Sequence, residues 1–286
     1  MSPSAAQLES LRRASGPKLA RMKGEIAACG SALVAFSAGV DSTFVLAVAA
    51  EVLGEGTVAL TAHSPAVPQA EREEARRLAA RLSVRHLERE SFEQADPGYV
   101  ANGADRCYHC KRELYRVCGE TAQAEGLRAI LDGFNADDRR DHRPGHRAAE
   151  ERHVRSPLAE AGLTKDEVRA WSEAYGLPTW DKPQMACLAS RIPYGTEVTP
   201  ERLRQVERAE AAVRALGFRD LRVRHHGDVG RVEIGEEELA AAFERRADLA
   251  SAVKGAGFKI AALDLEPFRS GRMNEVAGIA LPVVPG

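Results

Sequence analysis

The sequence predicts an α/β protein in which a mostly parallel sheet domain is followed by a small α+β domain. Three observations carry this reading. An apolar run at residues 32–36, a turn of small residues and an apolar helical stretch at 42–53 form a strand, turn and helix. Short apolar segments then alternate with helical ones, an order that builds parallel sheets. After Tyr194-Gly195-Thr196 the order changes to helix, paired strands, helix and strand, as in a separate α+β unit. A length of 286 residues suits two such domains, given about 150 residues for a typical one. The boundary is expected near Val198, giving domains 1–197 and 198–286.

Each element has its own signal. The helix at 42–53 is apolar around most of its circumference through Phe44, Val45, Leu46, Val48, Val52 and Leu53, as suits a crossover helix packed between layers. A strand follows at 57–62, then a charged helix at 68–82 with Pro68 near its first turn. Further strands are expected at 84–87 and 129–132, with a helix running from Cys107 to about Glu125. Residues 139–155 carry six Arg and three His against three acids, with Pro144-Gly145 inside and no apolar period. They read as an exposed basic loop. Thr164 and Glu167 form a capping box that opens a helix to Tyr175. The second domain reads as a helix at 200–216, strands at 221–225 and 231–234, a helix at 236–254 and a strand at 258–265.

Composition narrows the function. Forty Lys and Arg against forty-two Asp and Glu give a net charge of -2, so no whole-chain positive field attracts nucleic acid or an anionic membrane. The apolar run at 44–50 is far short of the ~20 residues that span a bilayer, and the first thirteen residues have no secretory pattern. A soluble cytoplasmic protein is expected. Five cysteines in a chain of this length suit a reducing compartment, as free thiols or metal ligands.

The run Ser37-Ala38-Gly39-Val40-Asp41-Ser42 lies where a strand feeds a helix, so backbone N–H groups and the helix dipole converge on an anion. Phosphate is its natural occupant, and a plain tight turn is the alternative. No Lys precedes the final Ser, so this is not a Walker loop. Cys107 and Cys110 share one helix face and leave three readings open: half a zinc site, a redox dithiol or part of an iron–sulfur site. Cys118 lies too far along the helix to join them and reads as core. Cys187 sits in an irregular stretch between Pro183 and Pro193; alone it reads as a buried small hydrophobe or a nucleophile, and the neighbouring Ser190 and Arg191 shift the balance, since the cation favours thiolate. Arg222 and Arg224 alternate on one strand face, positioned for a common anion or for water.

The loop Ser37-Ala38-Gly39-Val40-Asp41-Ser42 resembles the PP-loop of the ATP pyrophosphatases (adenine nucleotide alpha hydrolase-like proteins), written SGGxDS, with Ala38 in place of the first Gly. If that position needs a positive φ, Ala costs about 1 kcal/mol or more. Taken together with Arg106-Cys107-Tyr108-His109-Cys110-Lys111, Asp132-Gly133-Phe134-Asn135-Ala136-Asp137-Asp138, Arg155-Ser156-Pro157-Leu158, Trp180-Asp181-Lys182-Pro183 and the run ACLASRIPYGTEVT from Ala186, the chain resembles the LarE family of ATP-dependent sulfur transferases. The stretch around Cys187 is the most specific part.

The resemblance implies adenylation of a carboxylate of pyridinium-3,5-biscarboxylic acid mononucleotide, followed by sulfur insertion, in the making of the nickel-pincer nucleotide cofactor. It implies that Ser37, Ala38, Gly39, Val40, Asp41, Ser42 and His63 hold ATP, with Mg²⁺ on the phosphates and Asp41 assisting the metal; a helix-capping role for Asp41 is the alternative. Arg191, Arg222 and Arg224 are implied as substrate ligands. Two sulfur sources are implied: a [4Fe-4S] cluster on Cys107, Cys110 and Cys187, favoured because a sacrificial residue leaves the thiol pair without a use, or Cys187 itself, converted to dehydroalanine. A homo-oligomer acting on a small nucleotide, without nucleic acid or membrane, is expected. The rivals are a PP-loop enzyme that thiolates tRNA and a non-catalytic zinc-stabilised nucleotide sensor.

Overall fold

The computed structural model describes residues 4–140, 144–183, 186–269 and 272. In chain order the elements begin with α1 (Ala5–Ala27), β1 (Ala32–Ala35), α2 (Val40–Leu53), β2 (Thr57–His63), α3 (Gln69–Arg81), β3 (Arg85–Glu90), α4 (Pro97–Val100), α5 (Arg106–Ala124) and β4 (Ala129–Leu131). They continue with α6 (Pro144–Glu151), α7 (Pro157–Ala161), α8 (Lys165–Ala174), α9 (Pro200–Ala215), β5 (Leu221–His226), β6 (Val229–Ile234), α10 (Leu239–Glu244), α11 (Arg246–Gly255) and β7 (Ile260–Leu263).

The chain divides into two compact units. The first takes Met1–Ser64, Gln69–Glu93 and Cys107–Met185, and the second Pro65–Pro68, Gln94–Arg106 and Ala186–Gly286.

The first unit is the expected α/β domain. Among the described residues its sheet has four parallel strands in the order β3-β2-β1-β4. Every residue of β1 is buried, because both faces of the sheet are covered. On one face Val34, Ala59, Phe44, Leu46 and Val48 form the main core, and on the other Leu33, Ala35 and Leu60 meet Val117 and Cys118. Each fully buried Leu, Val or Phe contributes about 1.5–3 kcal/mol. The all-round apolar character of α2 follows from its place in this core, where residues from Val40 to Ala49 are nearly all buried. The chain leaves β1 toward β2 and β3, then returns to place β4 on the other side of β1. The strand order therefore reverses between β1 and β4, and ligands of open α/β sheets bind at such a switch point, beyond the carboxyl ends of the strands.

Two elements depart from the sequence reading. The helix α1 was given no signal by an apolar stripe, since its buried residues Leu8, Leu19, Met22 and Ile26 are widely spaced and Pro17 interrupts it. A capping box of Ser4 and Gln7 starts it, and Trp171 Nε1 donates to Ser15 Oγ at 2.9 Å to tie it to α8. The basic segment at 139–155 is not one exposed loop. It contains α6, whose Ala148 and Ala149 are buried beside Tyr115. Two alanines are enough to dock a helix of this length, and they leave no large apolar period to read. Residues 141–143 of that segment lie outside the described residues.

The second unit, among the described residues, carries a three-stranded mixed sheet in the order β5-β6-β7, with β5 antiparallel and β7 parallel to β6. Helices α9 and α11 pack on it. The expected helix at 236–254 breaks into α10 and α11 at Arg245. Val198, where a boundary was expected, lies inside this unit: its N–H donates to Val100 O at 3.0 Å. Asn102, buried and at φ 55, donates from Nδ2 to the carbonyls of Pro193 at 2.8 Å and Thr196 at 2.9 Å. These bonds sew residues 94–106 to the stretch after Ala186.

Candidate functional site

The loop after β1 takes the shape its sequence suggested. Ala38 lies at φ 57 and is fully buried, so the position does demand the left-handed conformation that Gly adopts freely. The Ser42 hydroxyl closes the turn: it accepts from Ser37 N–H at 3.3 Å, donates to Gly39 O at 3.3 Å and lies 3.1 Å from Ser37 Oγ. Gly39 is the N-cap of α2, and no side chain caps this helix end. Among the described residues its first-turn amides have no side-chain cap, and they lie at the positive end of a fourteen-residue dipole. Asp41 was read as a metal-assisting carboxylate or a cap; it does not cap the helix.

Across the switch point, the loop after β4 meets this cradle. A Cβ on Gly133 would fall 2.8 Å from Ser42 N and 3.2 Å from Asp41 Cβ, so only Gly permits the approach. Asp132 is buried and anchors the loop, accepting from Tyr115 Oη at 2.7 Å, Ser156 Oγ at 2.7 Å and Phe134 N–H at 3.1 Å. Burial, then the Asp132 charge, pushes the Tyr115 phenol well above its ordinary pKa, so it stays a proton donor. Asn135 Nδ2 donates to Asp41 Oδ1 at 3.3 Å, and the Lys165 ammonium is bound to Asp41 Oδ2. Lys182 donates to Ala38 O at 3.2 Å and pairs with Glu71 at 2.7 Å, bracing the strained residue from its carbonyl side. His63 ends β2 with Nε2 3.1 Å from Glu88, while its buried Nδ1 has no partner. Burial lowers its pKa despite the Glu88 charge, so the ring is neutral near pH 7. The expected nucleotide-binding residues thus share the carboxyl edge of one sheet.

Sequence reading did not single out Gly133, Asn135, Lys165 or Lys182 as site residues. The first two had a signal, since they follow a parallel strand at its carboxyl end. Lys165 had none, lying 124 positions from its partner Asp41.

The thiols fall in both units. Cys107 is exposed and Cys110 half-buried on the first turns of α5, while Cys187 is half-buried in the second unit. Cys118 is sealed in the core, where burial pushes its thiol up to about 12. Among the described residues no three His, Cys, Asp or Glu side chains are grouped as a metal site. Cys187 caps a short turn, Leu188–Arg191, and its carbonyl accepts from Ser190 N–H, Ser190 Oγ and Arg191 Nη1 at 3.0, 2.8 and 3.1 Å.

Arg191 therefore acts on the backbone of Cys187. It is fully buried, with Nε on Glu210 at 2.8 Å and Nη1 on Ala186 O at 2.6 Å. Burial pushes the Glu210 carboxyl up, but the Arg191 charge and hydrogen bonds outweigh it and hold the group below its usual range. Arg224 is also engaged, with Nη2 2.7 Å from buried Glu233 and Nη1 donating to Ser190 O at 3.0 Å. Arg222 differs. It is 7% exposed, donates to Leu221 O and stacks over Phe268 at 4.6 Å, and it has no carboxylate partner among the described residues. Burial, then the neighbouring Arg191 charge, lowers its pKa to about 10 against the opposing pull of the Glu210 carboxylate.

No family model matches the sequence. Among curated proteins, an uncharacterized protein of Synechocystis sp. is 44% identical over 247 residues, 86% of this chain and 92% of its own length. An uncharacterized protein of Methanocaldococcus jannaschii is 28% identical over 171 residues, 60% of this chain and 67% of its own. The pyridinium-3,5-bisthiocarboxylic acid mononucleotide synthase of Lactiplantibacillus plantarum is 36% identical over 244 residues, 85% of this chain and 88% of that synthase. Identity at this level over 85% of the chain shows that the chain belongs to the LarE family.

Proposed function

We propose that the chain is a sulfur transferase that activates a carboxylate of pyridinium-3,5-biscarboxylic acid mononucleotide with ATP and replaces its oxygen by sulfur. The observation that carries this is the uncapped start of α2 below Ala38, with Asp41 and Lys165 beside it. A carboxylate resists nucleophiles because its oxygen is a poor leaving group. In the proposed first step a substrate carboxylate oxygen bonds to the α-phosphorus of ATP, the bond to the β-phosphate oxygen breaks and pyrophosphate departs. In the second, a sulfur nucleophile attacks the acyl carbon and AMP leaves, giving the thiocarboxylate. The loop amides and α2 dipole support phosphate binding, and Asp41 is the carboxylate proposed to hold Mg²⁺, whose charge neutralises the departing pyrophosphate. Arg222 is proposed as the substrate's anion anchor, with Arg191 and Arg224 positioning the Cys187 turn behind it.

For the sulfur source we favour a [4Fe-4S] cluster on Cys107, Cys110 and Cys187. Soft thiolates, two of them one helical turn apart with Cys107 exposed and Cys110 half-buried, suit iron, and an iron with three protein ligands would have an open position for a replaceable sulfide. The braced carbonyl of Cys187 favours the second source, in which its thiolate forms the acyl–sulfur bond. Loss of its Cα proton and cleavage of Cβ–S then leave dehydroalanine. A homo-oligomer is part of the proposal.

Anaerobic protein incubated with ATP, Mg²⁺ and the biscarboxylate nucleotide is expected to release pyrophosphate and form thiocarboxylate. Unchanged intact mass with repeated turnover on added sulfide supports the cluster, and loss of the elements of hydrogen sulfide from Cys187 supports sacrifice. Absence of pyrophosphate overturns the proposal and favours a nucleotide sensor.

A further inference from the structure

The cradle is electrically closed on itself. Asp41 stands in the first turn of α2, where the dipole and the loop amides favour negative charge. Its two oxygens are already taken, Oδ1 by Asn135 Nδ2 at 3.3 Å and Oδ2 by the Lys165 ammonium. Lys165 reaches it from the first residue of α8, whose backbone is pinned by a bond from Lys165 N–H to Asp137 Oδ2 at 2.8 Å. The stem is therefore anchored and only the flexible ammonium end is free to change partners.

Neither end of the ion pair is sealed: the side chains keep 29% and 20% of their exposure. Water reaches both charges, so separating them carries a low desolvation cost. A cation arriving on Asp41 displaces a like charge, and the displaced ammonium is left next to the amides that hold phosphate. The polyanion entering with that cation is the nearest counter-charge.

From this arrangement we infer that Lys165 is a polyphosphate-binding residue held in reserve on Asp41: it passes from the carboxylate to the β- and γ-phosphates when nucleotide and divalent cation enter together. The inference rests on the reading of the cradle as an ATP site and gives Lys165 a role that reading does not assign. In the exchange no covalent bond is made or broken. One ion pair is replaced by two, Lys165 with phosphate and the cation with Asp41, and the charge of the site stays balanced throughout.

The test is calorimetric titration of the full-length chain with ATP and with AMP, each with and without Mg²⁺. Lys165→Met is expected to weaken ATP about tenfold and AMP less than about twofold, since AMP lacks the outer phosphates. Lys165→Arg, which keeps the charge, is expected to restore ATP binding to within about threefold and shows that the Met variant is not simply misfolded. Asp41→Asn frees Lys165, so ATP binding without Mg²⁺ is expected to tighten about fivefold, and that gain is expected to vanish in the Asp41→Asn, Lys165→Met double variant. An equal gain with and without Lys165 assigns the effect to loss of repulsion from Asp41 and overturns the inference. Equal weakening of ATP and AMP by Lys165→Met also overturns it, because it marks a structural role. Failure of the unaltered chain to bind ATP with Mg²⁺ refutes the ATP reading itself, a separate result.

Discussion

Each unit of this chain gathers cations and carboxylates, and the two clusters differ in what surrounds them. Around the cradle, Lys165–Asp41 and Lys182–Glu71 keep between 17% and 29% of their side-chain exposure. Around the Cys187 turn, Arg191–Glu210 and Arg224–Glu233 keep 5% or less. Pairs that water reaches are worth little to stability and exchange partners readily. Pairs sealed from water are costly to form and costlier to break, because either partner alone is an uncompensated buried charge. The first cluster is thereby suited to take up a charged ligand, and the second to hold a backbone in place. Arg222 belongs to the second by location, but among the described residues it forms no direct ion pair and donates instead to Leu221 O.

The sharpest way to break the comparison is Arg191→Met. It leaves buried Glu210 with Arg214 at 3.0 Å as its remaining guanidinium and removes a donor from the Ala186 and Cys187 carbonyls. Unfolding in denaturant should therefore show a loss of about 3 kcal/mol, the low end for a broken buried pair. A loss below about 1 kcal/mol contradicts the sealed character of that cluster. Next in size is Gly133→Ala, whose new methyl collides with Ser42 N and the Asp41 backbone. A stability cost of about 1–3 kcal/mol is expected, together with weaker ATP binding, read from denaturation and titration. Unaltered ATP binding would show that the loop after β4 does not shape the cradle.

Acid should separate the clusters further. Glu210 sits below its usual range in the folded chain, so its stabilisation is complete above about pH 4.3 and is lost as pH falls through its lowered folded value. His225 is also lowered, by burial first and then by Arg202. The unfolded chain binds protons there that the folded chain does not, so stability of the second unit declines as pH drops below about 6.5. His63 in the first unit is lowered as well, so both units lose stability below about pH 6.5, and hydrogen exchange should show β5 and α9 losing protection before β1 at the lower pH where Glu210 protonates. The smallest effect is that of Ala38→Gly. Relief of about 1 kcal/mol of left-handed strain is offset by greater freedom in the unfolded chain, so net stability should move by less than about 0.5 kcal/mol with ATP affinity unchanged. A loss of affinity would mean that the buried Ala38 methyl, not the loop shape, is needed.

Much of the first unit was legible because its signals are local. Continuous apolar runs marked β1 and β2 to within a residue or two, and the Thr164–Glu167 capping box appears as written. The strain at Ala38 followed from the motif once a positive φ was required. What escaped depends on distance in sequence. The partners of Arg191 and Arg224, Glu210 and Glu233, lie on other elements, and an alternating pair of arginines on a strand looks the same whether it faces water, ligand or a buried acid. Helices α1 and α6 escaped because widely spaced or small residues bury them. The break at Arg245 divides a helix whose composition alone reads as continuous.

The role proposed for the cradle is to attach AMP to a substrate carboxylate so that sulfur can displace it. The most direct measurement uses substrate whose carboxylates carry heavy oxygen, incubated with the protein, ATP and Mg²⁺, with the released nucleotide weighed by mass spectrometry. Adenylation places one heavy oxygen in each AMP, matched by one sulfur gained in the product. AMP without the label, or ADP in its place, contradicts the account.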